Sequence, residues 1–484
     1  METSLENTPQ KKNFGISLLV LIVTGCLLLS AGLVAGGYFL FKAQRNYTPP
    51  EVTAGPTATL RTIVSSPQPT LRPGQATPTP DSSALPPSIA GQMDIIQEQV
   101  TSIRGLGLLT DLQRDMMSEA ELKDVVVNEF FADYTPEDAA KDALELSVMG
   151  LLEPGFDLLQ FYLDLYSEQI AGYYDSETKE MYVVGGEFTG LERLTYSHEY
   201  THVLQDQHYD LENGLNLNDD TCETDTEYCA AVSALVEGDA SLTEQFWFLS
   251  NGTEQDRNDI INFQQTYSSP VYDSAPAFMK EDFLFPYSQG FDFANALYSR
   301  GKWAAVDAAY ANPPVTTEQI LHPEKYPDDK PVVVEIGDYV SDLGPGWSEY
   351  DRNVMGEWYT YLILGAGRST NIRLDQDDAK TAASGWGGDT YLFLINEASS
   401  ESAFIWLSTW ETQKDSNEFF TASRDYGNAR WGTSIESGSD MVSWNSAQEG
   451  RITMVRSGKN VLWAISQDEK VVDTYIPIVY LQGN

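Results

Sequence analysis

The chain has 484 residues, with 29 basic against 72 acidic side chains and a formal net charge of −43. Such a polyanion is repelled by the phosphate backbone that supplies most nucleic-acid affinity, so nucleic acid is not expected as a partner. The length suits two or three domains, and a hydrophobic share of 42% is ample for a core.

Residues 1–13 form a short N-terminal tail. Residues 14–41, from Phe14 to Phe41, carry no charge and are expected to be a transmembrane helix, because a hydrocarbon core needs about 20 helical residues. Lys11 and Lys12 precede this run and Lys42, Arg45 and Arg61 follow it, so basic residues alone do not orient it. Val23-Thr24-Gly25-Cys26 loosely resembles a lipidation signal, but the chain stays apolar through Phe41, which favours an uncleaved anchor.

Residues 42–91 read as a Pro/Thr/Ser-rich stalk, since 10 of the 23 prolines fall between Pro49 and Pro87 among small polar residues that cannot build a core. Asn46-Tyr47-Thr48 and Asn251-Gly252-Thr253 fit the N-glycosylation pattern. Cys222 and Cys229, with six residues between them, are the two cysteines outside the anchor. Their spacing suits a small loop-closing disulfide in an oxidising compartment, with free cytoplasmic thiols as the alternative. Anchor, stalk and cysteine pair together imply a single-pass protein of the cell membrane whose folded part is extracytoplasmic.

Residues 92–342 are expected to be a helix-rich domain, with helical pattern from about Met93. Thr135-Pro136-Glu137-Asp138 is a helix start, with a capping hydroxyl, Pro at the first position and acid in the first turn. Ile170 to Tyr174 and Met181 to Val184 are short β-type runs around the turn 175–179, a hairpin signal. Helices follow from near Leu191 to between Asp206 and Tyr209, from Glu227 to Leu249, from Tyr287 to Arg300 and from Trp303 to Tyr310. Residues 343–484 are expected to be an accessory α+β region, with β-like runs at Thr390 to Ile395 and Asn460 to Ser466. Eight of the 10 tryptophans lie there, between Trp347 and Trp463. Tryptophans so clustered can line a groove, but core packing is the commoner use.

The chemistry gathers at His198-Glu199-Tyr200-Thr201-His202. Residues four apart share a helix face, so both imidazoles can address one ion, while Glu199 stands beside it without binding it, placed as a general base. A catalytic zinc site takes three protein ligands and leaves one position open. His208 follows too closely to stay on the face, and no third histidine falls at the metzincin spacing. His322 is distant. Glu237, in Leu235-Val236-Glu237-Gly238-Asp239-Ala240, is the preferred third ligand, with small neighbours that let two helices approach; Asp239 is its rival.

His198, Glu199 and His202, with Glu237 in an EGxA setting, resemble the gluzincin group of zinc metallopeptidases, in the style of the peptidase MA-like set. The resemblance spans roughly residues 170–310. It implies Zn2+ as cofactor, peptide or protein substrates, and an edge strand at Ala171 to Tyr174 that pairs with extended substrate main chain. It also implies an oxyanion donor downstream, for which Tyr287 in Pro286-Tyr287-Ser288-Gln289-Gly290 is the candidate and His322 the alternative. Asp206 stands as either an acid orienting the ligand face or a helix-end surface acid. The 34-residue gap from His202 to Glu237 and the acidic stretch around Cys222 depart from the thermolysin layout.

The expected fold class is therefore α+β: a zincin-like metallopeptidase domain behind an N-terminal transmembrane helix, with a C-terminal Trp-rich α+β region. The expected function is a membrane-anchored extracytoplasmic zinc metallopeptidase. The rivals are an inactive binding or sensory ectodomain and a zinc hydrolase of a non-peptide amide or ester.

Overall fold

The computed structural model describes residues 85–176 and 178–481. The expected transmembrane helix at 14–41 and most of the stalk lie outside them, and no helix among the described residues is long and apolar enough to cross a membrane.

Helix α1 (Pro87–Arg104) opens with Pro in its first turn and closes on Gly105, whose φ of 80° only glycine adopts without strain. It starts ahead of the expected boundary at 92, because prolines that read as stalk also serve at the first helical position, where no amide hydrogen is needed. Met93, Ile96 and Val100 share a buried cluster with Tyr196, Tyr200, Val203 and Leu204. Gln97 Nε2 donates to the Tyr196 hydroxyl at 2.8 Å.

A three-stranded sheet follows, made of β1 (Gln113–Met117), β2 (Gly172–Asp175) and β3 (Glu180–Val184) in the order β1-β3-β2. β2 and β3 form the expected antiparallel hairpin, whereas β1 pairs with β3 in parallel. Helices α2 (Pro136–Met149) and α3 (Leu158–Gln169) lie between β1 and β2 in the chain. The Thr135 hydroxyl caps α2 by accepting from the Asp138 amide.

Next come α4 (Gly190–Tyr209), α5 (Thr226–Asn251), α6 (Glu254–Thr266), α7 (Ala277–Gly301), α8 (Trp303–Ala311) and α9 (Thr317–Leu321). Cys222 and Cys229 are joined in a disulfide ahead of and within the first turn of α5. α7 begins ten residues before the expected Tyr287 and passes through Pro286, because buried Phe278, Met279, Phe283 and Phe285 drive the preceding turns against the core.

The C-terminal part is a seven-stranded antiparallel sheet in the order β4-β5-β6-β10-β9-β8-β7. Its strands are β4 (Trp347–Asn353), β5 (Trp386–Asn396), β6 (Glu401–Trp410), β7 (Glu436–Ser437), β8 (Met441–Ser446), β9 (Gly450–Ser457) and β10 (Asn460–Ser466). Helices α10 (Gly356–Gly365) and α11 (Gln376–Ala383) lie between β4 and β5, α12 (Gln413–Trp431) follows β6, and α13 (Glu469–Tyr475) follows β10. Alternate residues along a strand point to opposite faces. Tyr391, Phe393, Trp406 and Trp463 thus share the main core with Phe419 and Phe420 of α12. Leu392, Leu394, Ile405 and Leu462 pack with Val471, Val472 and Tyr475 of α13 on the other face. Trp406 stands opposite Trp463 in register, their rings 6.0 Å apart. Seven of the eight tryptophans between Trp347 and Trp463 are buried, and Trp431 packs half-buried against the core.

The expected α+β, zincin-like class is corrected by these observations to a mixed α/β arrangement, and the expected membrane-spanning helix falls outside the described residues. The parallel strand was invisible in sequence because Gln113-Arg114-Asp115 has no apolar alternation and its partner lies far along the chain.

Acidic side chains are buried where the two parts meet. Asp142 on α2 accepts from Tyr134 at 2.7 Å and from Tyr350 on β4 at 2.6 Å, while Asp389 on β5 accepts from the Met355 amide at 2.8 Å. Burial pushes the carboxyls of Asp142 and Asp389 up to about 7, against the opposing pull of those hydrogen bonds. An unfolded aspartate titrates near 4. Between those values the folded chain holds more protons than the unfolded one, so stability falls as pH rises from about 4 to about 7. Melting temperature followed across that range should drop less for Asp142→Asn than for the wild type, whose Asp142 contributes a loss of up to about 4 kcal/mol. Parallel profiles for the two proteins would remove Asp142 as the cause.

Candidate metal centre

α4 starts in a capping box, with the Thr189 amide donating to Glu192 Oε2 at 2.8 Å. Two turns on, His198 and His202 project from one face with ring centroids 4.8 Å apart. α5 faces them with Glu237, whose Oε2 lies 3.0 Å from His198 Nε2 and 3.4 Å from His202 Nε2. One donor atom from each of the three lies within 4.8 Å of the others. His198, Glu199 and His202 are fully buried and Glu237 is 2% exposed.

Two backbone contacts hold this arrangement. A Cβ on Gly238 would stand 2.0 Å from the carbonyl oxygen of Gly290, and one on Gly290 would stand 2.2 Å from that of Ala234. α5 and α7 therefore touch backbone to backbone beside Glu237, and Tyr287, one turn before Gly290, arrives with its ring 6.2 Å from that of His198. On the other side a Cβ on Gly172 would meet Tyr182 O at 2.9 Å and Glu199 Cγ at 3.3 Å, so β2, an edge strand of its sheet, runs against the Glu199 side chain.

The remaining ring nitrogens are engaged as well. His198 Nδ1 is 2.9 Å from Glu244 Oε2, and His202 Nδ1 is 2.8 Å from Gln205 Oε1. Burial alone would make the His198 imidazole more acidic, but the Glu237 and Glu244 carboxylates override it and hold the ring up to about 10. The Glu237 carboxyl is held low despite its burial, by the charge of His202 and the hydrogen bond to His198. The site is thus built to stabilise positive charge at its centre. Two imidazoles and a carboxylate are a donor set that suits a borderline divalent ion. They fit one here, because His202 Nε2 is a buried nitrogen without a hydrogen-bond partner, aimed at the Glu237 carboxylate.

The other candidates sit elsewhere. Asp239, the rival ligand, is bound to Arg104 with its Oδ1 2.8 Å from Nε. Asp206 accepts from Tyr174 at 2.7 Å and from Lys179 at 2.8 Å, so it ties the β2–β3 hairpin to the end of α4. His208 lies 2.8 Å from the Gly107 carbonyl, and His322 2.9 Å from Glu357. A second acidic group, Glu318 with Asp329 and Glu411, already surrounds a cation, since Lys325 Nζ lies 2.7, 3.5 and 2.9 Å from them. Glu244 was not singled out in the sequence, although its spacing of seven from Glu237 puts both on one helix face.

A family described as a domain of unknown function (DUF8575) matches residues 345–475. No curated protein and no solved structure matches the chain. The match covers the C-terminal sheet from β4 to α13 and none of the residues of the candidate centre. With no similar solved structure, a zincin fold is not shown.

Gly238→Ala tests the helix crossing. The added methyl has nowhere to go without parting α5 and α7, and should cost about 1–3 kcal/mol, a clear fall in melting temperature. It should also weaken metal binding in the folded fraction. Wild-type values for both would mean that the two helices yield freely at this point.

Proposed function

We propose that the protein is an extracytoplasmic zinc metallopeptidase that hydrolyses peptide bonds in peptide or protein substrates. The observation that carries this reading is the convergence of His198, His202 and Glu237 from two helices, with Glu199 adjoining the first histidine in the same buried space. A purely structural metal site has no use for a carboxylate placed beside its ligands in this way.

His198 and His202, through Nε2, and Glu237, through a carboxylate oxygen, would hold the zinc. When bound, zinc would supply Lewis acidity, lowering the pKa of a water and polarising the substrate carbonyl. The Glu199 carboxylate takes the proton of the attacking water and then passes it to the nitrogen of the departing amine, so that acid and amine leave with one water consumed. The Tyr287 hydroxyl donates a hydrogen bond to the substrate oxygen as its negative charge grows. β2 offers its outer edge to an extended main chain running past Glu199. The Cys222–Cys229 disulfide supports placement outside the cytoplasm, at the cell membrane, where the apolar run of the N-terminal sequence would hold it.

The complete burial of His198, Glu199 and His202 favours a second reading, a zinc site kept without turnover in a binding or sensory ectodomain. Glu199→Gln separates the two. Under the peptidase reading the variant retains stoichiometric zinc but loses hydrolysis of an unfolded protein substrate by about 10²–10⁴-fold. Equal activity in both proteins would rule out Glu199 as base, and a zinc-binding wild type inert towards unfolded proteins would favour the second reading.

A further inference from the structure

Arg104, the last residue of α1, is 1% exposed. A guanidinium stays charged, so in such a place it needs partners. Its Nε donates to both carboxylate oxygens of Asp239, at 2.8 and 3.1 Å. Its outer nitrogen forms an ion pair with Asp307 at 2.7 Å, and its plane lies 4.8 Å over the Trp303 ring. Asp239 is fully buried and also accepts from the Tyr310 hydroxyl at 2.8 Å and from Gln205 Nε2 at 3.1 Å.

The Gln205 contact determines which way its amide points. Gln205 Nε2 meets two acceptors, Asp239 Oδ2 and, at 2.9 Å, the Val236 carbonyl oxygen. Neither offers a proton, so the NH₂ group must occupy that end, and Oε1 is left facing His202 Nδ1 at 2.8 Å. An amide oxygen only accepts. When His202 is neutral, as a metal ligand must be, its one proton therefore sits on Nδ1 and the lone pair is on Nε2, towards Glu237. Turning the Gln205 amide over would set NH₂ against Nδ1 and favour the opposite tautomer, with a proton where the ligand lone pair is needed.

We propose that Arg104 is a positioning residue for His202, acting through Asp239 and Gln205, and that α1 is thereby a working part of the metal centre. Arg104 fixes the Asp239 carboxylate through the two contacts of its Nε, and Asp239, so placed, accepts from Gln205 Nε2 and holds the amide in place. This inference rests on the reading of His198, His202 and Glu237 as metal ligands.

The test measures zinc affinity of the full-length chain by competition with a chromogenic chelator, and the ligand-field absorption of Co2+ bound in place of zinc. Gln205→Met removes the acceptor, while the double variant Arg104→Met/Asp239→Asn removes the buried ion pair and leaves only the solvent-exposed Asp307 carboxylate without its cation. Arg193→Met is the control, since Arg193, on the same helix α4 as the two histidines, forms an ion pair with Asp256 of α6 but does not reach the ligands. Zinc binding about ten- to a hundredfold weaker in Gln205→Met and in the double variant, with a shifted Co2+ band and with Arg193→Met at the wild-type value, is the expected result. Folded Gln205→Met with wild-type affinity overturns the proposal, as does an equal loss in Arg193→Met. A loss confined to Gln205→Met, with the double variant folded and unchanged, overturns the part assigned to Arg104. If the double variant does not fold, Gln205→Met against Arg193→Met still decides whether the amide orients the ligand. A wild type that binds no zinc overturns the metal reading together with this one, whereas intact zinc binding without peptidase activity leaves it standing.

Discussion

The contact on which the rest depends is the meeting of α5 and α7 at Gly238 and Gly290, where a single methyl would stand 2.0 Å from a carbonyl oxygen. Side chains normally keep helix axes about 8–10 Å apart; here two glycines and Ala234 let the backbones touch. That approach sets Glu237 against the two histidines of α4 and, from the opposite helix, sets Tyr287 beside His198. The candidate ligand carboxylate and the candidate oxyanion donor are thus positioned by one crossing.

Around that crossing the polar groups form directed chains. His198 leads to Glu244 at 2.9 Å, and His202 leads to Gln205, Asp239 and Arg104. Each link has one donor and one acceptor, so the orientation of the last group is transmitted to the first. α1, whose first five residues composition assigns to the stalk, in this way reaches the centre of the domain. The acidic groups between the N-terminal part and the C-terminal sheet are held differently. Tyrosine hydroxyls and backbone amides, rather than cations, meet Asp142 and Asp389. Their raised proton affinity is the physical cost of burying carboxyls in a chain with a net charge of −43.

Much of the local structure was legible. Thr135-Pro136 announced α2, the hairpin was readable from two apolar runs around a turn, and the boundaries of β10 follow the run from Asn460 to Ser466. Failures arose where a residue type serves two purposes. Pro87 and Pro286 suit both an interruption and a helix, and burial of the neighbouring apolar side chains decided for the helix in α7. β1 carries too few apolar residues to announce itself, and its parallel pairing with β3 joins segments distant in the chain. That pairing is why the arrangement is mixed α/β instead of the α+β expected.

By itself the sequence determined that His198 and His202 share a helix face, with Glu199 adjoining them, because a period of 3.6 residues leaves no other outcome. It also determined that small residues flank Glu237, and hence that another helix can come close there. Only the tertiary structure decided which of Glu237 and Asp239 faces the two imidazoles, since both lie on α5 and only their partners differ: Glu237 meets His198 and His202, and Asp239 is paired with Arg104. Tertiary structure likewise decided the parts of Glu244, Gln205 and Arg104. Hydrogen bonds between side chains 34 to 135 positions apart leave no periodic trace in a sequence, because they depend on how the helices cross and not on how any one of them repeats.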